Sequence, residues 1–277
     1  MRYTFMRFPN FRRKAVTLSY DDGKIYDRKL IEIMDKHGLK GTFNLNGGLF
    51  PKETGGIRLT KEEAYELYAN SPHEVAVHGY HHLSLGEVDQ TVATRDVLKD
   101  RETLEETFGR VIKGMAYANG SFSGDKVLAA VKGCGICYAR TTGCTERFNV
   151  PEDWLHMLGT CHHNNPRLME LAKAFVEAKD SANVWANTPM LFYLWGHSYE
   201  FNDNDNWHVI EEFAEYMGGR EEIWYATNGE IYDYVQAYNS LQFSANGEMI
   251  RNPSAIDVYL YYREKNVLVP AGKTVKV

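Results

Sequence analysis

Short apolar runs of strand length alternate with longer stretches of helical period along most of this chain. Strands are predicted over residues 15–20, 41–45, 73–77, 111–117, 136–140, 190–196 and 222–226. Helices are predicted over 25–37, 60–70, 88–108, 125–132, 166–179, 207–217 and 231–241. Ile25, Leu30, Ile33 and Met34 share one apolar helix face that stops at Gly38. Thr60 followed by Glu63 is a capping box, and Gly109 ends the long charged helix before it. Repeated strand–helix units imply a parallel sheet with helices outside it. About seven such units over roughly 240 residues fit a (β/α) barrel better than an open sheet.

From Gln242 the pattern changes. Residues 255–262 and 266–269 read as two strands joined by the charged turn Arg263-Glu264-Lys265. The segment is too short for a core of its own. The division expected is therefore a barrel over 1–241 and a small β extension over 242–277, packed on the barrel.

Composition narrows the classes. The chain of 277 residues is 44% hydrophobic and 25% charged, ordinary for a globular protein. A net charge of −6 argues against a nucleic-acid partner, and Arg12-Arg13-Lys14 reads as a solvated strand entry. No apolar run approaches the roughly 20 residues that span a bilayer, so no membrane partner is expected. The first residues lack a signal-peptide core, and the starting Met-Arg-Tyr reads as a natural beginning. A cytoplasmic location is the expectation. Of the four cysteines, Cys134 and Cys137 have CxxC spacing, but one falls in a turn and the other in a strand. Ordinary reduced thiols are expected there, not a zinc knuckle.

In a parallel barrel, chemistry gathers at the C-terminal strand ends. The polar clusters of this sequence fall there: Asp21-Asp22, Asn44 and Asn46, His78 to His82, Asn119, Arg140 and His197. Asp22, His78 and His82 would offer one oxygen and two nitrogens to a divalent cation, with His81 a competing ligand. Where the chain turns at Gly23 both adjacent carboxylates can reach one cavity, one binding metal and the other accepting a proton.

Ser19-Tyr20-Asp21-Asp22-Gly23 resembles the first motif of the polysaccharide deacetylases, the NodB-homology domain of carbohydrate esterase family 4. His78-Gly79-Tyr80-His81-His82 resembles their second. The similarity spans about residues 12–235. It implies a distorted (β/α) barrel and metal-dependent hydrolysis of N- or O-acetyl groups, usually on amino sugars. The resemblance implies Asp21 as general base. It implies Asp22, His78 and His82 as ligands of zinc, with cobalt or nickel as the other choices in the family. His197, in Leu194-Trp195-Gly196-His197-Ser198, stands where the last motif places its general acid. The stretch 115–120 resembles the third motif, whose backbone N–H near Asn119 would face the oxyanion. Tyr117 and Trp154 are expected as groove walls.

Two departures stand out. Ala116 replaces the third-motif arginine, with Ala118 in place of its proline, and Gly79 replaces the second-motif Ser/Thr. Arg140, ending the next strand, is expected to substitute by pairing with Asp21. Cys161-His162-His163-Asn164-Asn165 reads as a loop over the active-site mouth, with a second metal site as the competing reading. The leading function is a deacetylase acting on an acetylated sugar. Competing readings are an inactive carbohydrate-binding relative and a hydrolase of small amides or cyclic imides.

Overall fold

The computed structural model describes residues 3–183 and 187–277. In chain order its strands are β1 (Met6–Arg7), β2 (Lys14–Asp21), β3 (Gly41–Leu45), β4 (Glu74–Val77), β5 (Gly114–Ala116), β6 (Tyr138–Cys144), β7 (Met157–Gly159), β8 (Cys161–His162), β9 (Met190–Gly196), β10 (Ile223–Tyr225), β11 (Gln242–Phe243), β12 (Met249–Arg251), β13 (Val258–Tyr262), β14 (Lys265–Val269) and β15 (Thr274–Lys276). The helices are α1 (Asp27–Lys36), α2 (Lys61–Tyr68), α3 (Gln90–Phe108), α4 (Gly124–Gly133), α5 (Leu168–Glu177), α6 (Ser198–Asp203), α7 (His208–Met217) and α8 (Asn228–Asn239).

Strands β2 to β10 make one parallel sheet, in the order β7-β6-β5-β4-β3-β2-β9-β8, with β10 also on β2. Two irregularities turn this sheet into a distorted barrel. The first is a shared strand edge: β2 pairs with β10 over Lys14–Val16 and with β3 over Leu18–Asp21. The second closes the ring. Residues 157–159 pair with β6, and one residue later 161–162 pair with β9. The barrel interior and the helix contacts share the apolar residues of β2, β3, β4 and β9, among them Val16, Leu18, Phe43, Val77, Phe192 and Leu194. Strands buried on both faces read as near-continuous apolar runs, which is why the sequence pattern located them.

The differences from the sequence reading have local causes. The fifth strand is only Gly114–Ala116, since Val111 is 77% exposed and cannot be an inner strand residue. Helix α1 starts at Asp27, because Ile25 donates its N–H to Ile57. The capping box on Thr60 is present, and Thr227 with Glu230 forms a second one at α8. His162 is not in a loop: it ends β8, and His163 just beyond it is 1% exposed. The register with β9 (Cys161 opposite Leu194) draws this segment into the sheet.

Beyond residue 241, β13 and β14 form an antiparallel hairpin, and β1 from the start of the chain adds to β13 through Met6 opposite Leu260. A second small sheet has the order β11-β12-β15. Ile250, Val258, Leu260 and Val269 bury together with Ala237 of α8. All four cysteines are free thiols. No helix among the described residues is long and apolar enough to cross a membrane.

Candidate active site

Asp21 is the last residue of β2, and the chain turns immediately: Asp22 has φ 85° and Gly23 φ 60°. A left-handed aspartate is uncommon and costs of order 1–3 kcal/mol, so the surrounding contacts must impose it. They are visible. The Asp22 N–H donates to the Asn44 carbonyl at 3.0 Å, and Arg58 Nη1 donates to the Asp22 carbonyl at 2.6 Å. The turn sends the two carboxylates to neighbouring places with different partners.

Asp21 is 3% exposed. Asn44 Nδ2 donates to its Oδ1 at 2.8 Å, and Arg140 pairs with its Oδ2. The Nε2 atoms of His78 and His197 each lie 3.9 Å from that same Oδ2. Burial alone would raise the Asp21 pKa. The opposing charge of Arg140 leads the groups that outweigh burial and hold the pKa at about 2. Arg140 is wholly buried, lies 4.5 Å over the Trp195 ring and donates to the Thr141 carbonyl at 2.9 Å. Its register partner on β5 is Ala116.

Asp22, His78 and His82 present one ligand atom each, all within 4.8 Å of one another. The donor chemistry fits a divalent cation. His78 Nδ1 sits 2.9 Å from the Ala116 carbonyl, which accepts its proton and leaves the Nε2 lone pair free. Burial pushes the His78 pKa down, against the pull of Asp21 and Asp22, which favours the neutral ring that ligates. His82 Nε2 and Asp22 Oδ1 stand 3.6 Å apart, too far for a hydrogen bond. His82 also has a left-handed φ, 58°. His81 is excluded: its ring is 58% exposed and its Nδ1 pairs with Asp96 at 2.7 Å.

The histidine loop is held by residues the sequence reading did not single out as site residues. Asn46 Nδ2 donates to the carbonyls of His78 (2.9 Å) and Gly79 (2.8 Å). Asp100 on α3 accepts from the His78 N–H at 3.0 Å. Gly79 has φ 84°, and a Cβ there would lie 3.0 Å from Asp96 Oδ2. Arg58 is a further unforeseen neighbour, with Nη2 3.4 Å from Asp22 Oδ1.

His197 caps α6, and its Nδ1 is 3.4 Å from Glu200 Oε1. Burial would lower its pKa; Glu200 and Asp21 outweigh burial and raise it. Glu200 also meets His162 (3.2 Å) and His163 (2.8 Å). Asn119 lies in a turn at φ 57°, exposed, with Nδ2 donating to Ser84 at 3.0 Å. Tyr117 and Trp154 are not groove walls. Tyr117 is 1% exposed and donates to the Leu155 carbonyl, while Trp154 packs on Tyr232 beneath α8. Their large apolar areas are withdrawn into the core. The rings of Trp195 and Tyr199 do reach the site, 6.1 and 5.2 Å from that of His197.

Residues 9–139 match the family model described as polysaccharide deacetylase. No curated protein sequence matches the chain. Among solved structures, it resembles a Mycobacterium smegmatis protein classed as a polysaccharide deacetylase, at 17% identity and TM-score 0.59, over 85% of this chain and 94% of that one. It also resembles a mutant CE4-family pseudoenzyme of Bacillus anthracis with restored enzymatic activity, at 17% identity and TM-score 0.51, over 82% and 70%. A Streptococcus pyogenes deacetylase in complex with acetate is matched at 20% identity and TM-score 0.42, over 46% of this chain and only 55% of its own length.

Proposed function

We propose that this chain, whose residues 9–139 match the family model described as polysaccharide deacetylase, is a metal-dependent hydrolase that releases acetate from an N- or O-acetylated sugar. The observation that carries the reading is one constellation. Three ligand atoms of Asp22, His78 and His82 converge, and the ionised Asp21 stands beside them, paired with a buried arginine.

Asp22, His78 and His82 would hold the cation, zinc being the best match to two imidazoles and a carboxylate, with cobalt or nickel as alternatives. When bound, the cation supplies Lewis acidity toward the acetyl carbonyl and toward water. The protein supplies the rest. Asp21 takes up the proton of the attacking water; Arg140 and Asn44 grip one carboxylate oxygen each and so fix its orientation. His197, whose proton is retained by Glu200 and Asp21, gives that proton to the departing amine or alkoxide. The backbone N–H of Asn119 is the donor assigned to the developing oxyanion.

A second reading has its own observation: Ala116 stands where the family carries an arginine, which favours a binding protein without turnover. The separating experiment measures metal content and acetate release on N-acetylated amino-sugar oligomers, O-acetylated xylan and small amides. Acetate release that Asp21→Asn abolishes with metal retained supports the hydrolase. Bound metal without turnover of any substrate moves the assignment to the binder. Loss of metal in Asp21→Asn means that the two aspartates have exchanged roles.

A further inference from the structure

We propose that His162, His163 and Glu200 form a second divalent-cation site of the zinc class. The proposal stands on its own geometry and does not depend on the deacetylase reading. A nitrogen from each ring and a carboxylate oxygen all lie within 4.8 Å of one another. Two nitrogens and one oxygen are a known zinc donor set that leaves a coordination position open.

The second observation is the state of His163. The residue is 1% exposed, yet among the described residues neither ring nitrogen has a well-aligned hydrogen-bond partner. Its Nε2 comes within 2.8 Å of Glu200 Oε2, but off the line along which a ring N–H would donate. Burying a ring nitrogen without a hydrogen bond is unfavourable, and a cation beside Glu200 would satisfy Nε2.

The site is also built around this ring. His163 packs against Phe201 at 4.1 Å and stacks with Tyr20 at 5.8 Å between ring centroids. Gly196 of β9 lies directly against it, and a Cβ there would collide with Nδ1. His162 is placed by β8 pairing with β9, and its ring lies 4.4 Å from that of His163. Two segments that are distant in sequence, the end of β8 and helix α6, therefore aim donors at one point, and a bound cation would tie them together.

This site is separate from the first in every ligand, although His197 lies between them. Its Nε2 faces Asp21 at 3.9 Å and its Nδ1 faces Glu200 at 3.4 Å.

The test is a metal count on the intact chain, stripped and then equilibrated with zinc chloride or cobalt chloride. Wild type is expected to bind two equivalents, and Asp22→Asn, Glu200→Gln and His162→Gln one each. The double variant Asp22→Asn/Glu200→Gln should bind none. Cobalt absorption bands should persist in Asp22→Asn, since that variant keeps the second site. Glu200→Gln is isosteric and His162 is partly exposed, so both should fold; near-ultraviolet circular dichroism of the metal-free proteins checks this. The proposal is overturned if Asp22→Asn binds no metal, or if Glu200→Gln and His162→Gln leave the wild-type count unchanged. A wild-type equivalent lost only with Glu200 would instead sink the assignment of Asp22, His78 and His82.

Discussion

The Arg140 guanidinium pairs with the Asp21 carboxylate across the mouth of the barrel, from a strand position in direct register with Ala116. Three strands separate β2 from β6 in the sheet, so only closure of the barrel brings the two together. Ala116 on β5 offers Asp21 no charge, and the charge arrives from the adjacent strand. Ala116 is fully buried beside it.

Replacing Arg140 with Met should therefore leave Asp21 buried and unpaired. Breaking a buried pair from one side costs about 3–5 kcal/mol. Urea unfolding at neutral pH should show a loss of that order. The double variant Asp21→Asn/Arg140→Met should recover a substantial part of it, because the uncompensated charge is gone. Additive losses in the cycle would mean that the pair contributes no coupling.

Asp27 gives a pH dependence of known sign. It is 1% exposed, and burial raises its pKa from 3.8 to about 7, despite the hydrogen bond that Tyr68 donates to its Oδ2. The folded value lies above the unfolded one, so its stabilising contribution is complete below the unfolded pKa and disappears as pH rises through the folded pKa. Between those two values stability should fall by about 1.4 kcal/mol per pH unit from this group. Asp27→Asn should flatten that slope and be more stable than wild type at pH 8, as read from denaturant midpoints across the range. An unchanged slope would refute the assignment.

A hydroxyl side chain at position 79 should harm the protein. Gly79 has φ 84°, where a side chain is strained, and its Cβ would press on Asp96 Oδ2 at 3.0 Å. Gly79→Ser is expected to destabilise by about 1–3 kcal/mol, and a thermal melt reads this directly. A neutral or stabilising result would show that the loop relaxes.

Asn46 touches none of the proposed reacting groups but holds both carbonyls at the start of the histidine loop. Groups that orient metal ligands typically contribute 10–100-fold in affinity. Asn46→Ala should weaken zinc binding by about that factor in a competition titration, with Asp22, His78 and His82 unchanged. Full affinity would mean that the loop is fixed by Asp96 and Asp100 alone.

The order of strands and helices was legible in the sequence because burial on both faces of a parallel strand leaves a continuous apolar run, and a helix leaves its own period. The same logic located Asp21, Asp22, His78, His82 and His197 at strand ends. It overreached for Tyr117 and Trp154, since an aromatic residue looks the same in sequence whether it lines a groove or fills a core. Asn46 was legible only as a polar residue at a strand end, not as the holder of the histidine loop, and Arg58 and Asp100 carried no signal at all, because a polar residue on a loop or helix face declares nothing about its partner.

What the sequence by itself determined is the succession of elements and which chemical groups crown them, because those depend on neighbours within a few residues. Which groups meet was decided only by the tertiary structure. The change of partner between residues 159 and 161 closes the barrel, sets Arg140 on Asp21, and drives His163 into contact with Glu200. Strand register over long separations fixes those meetings, and no local pattern records it.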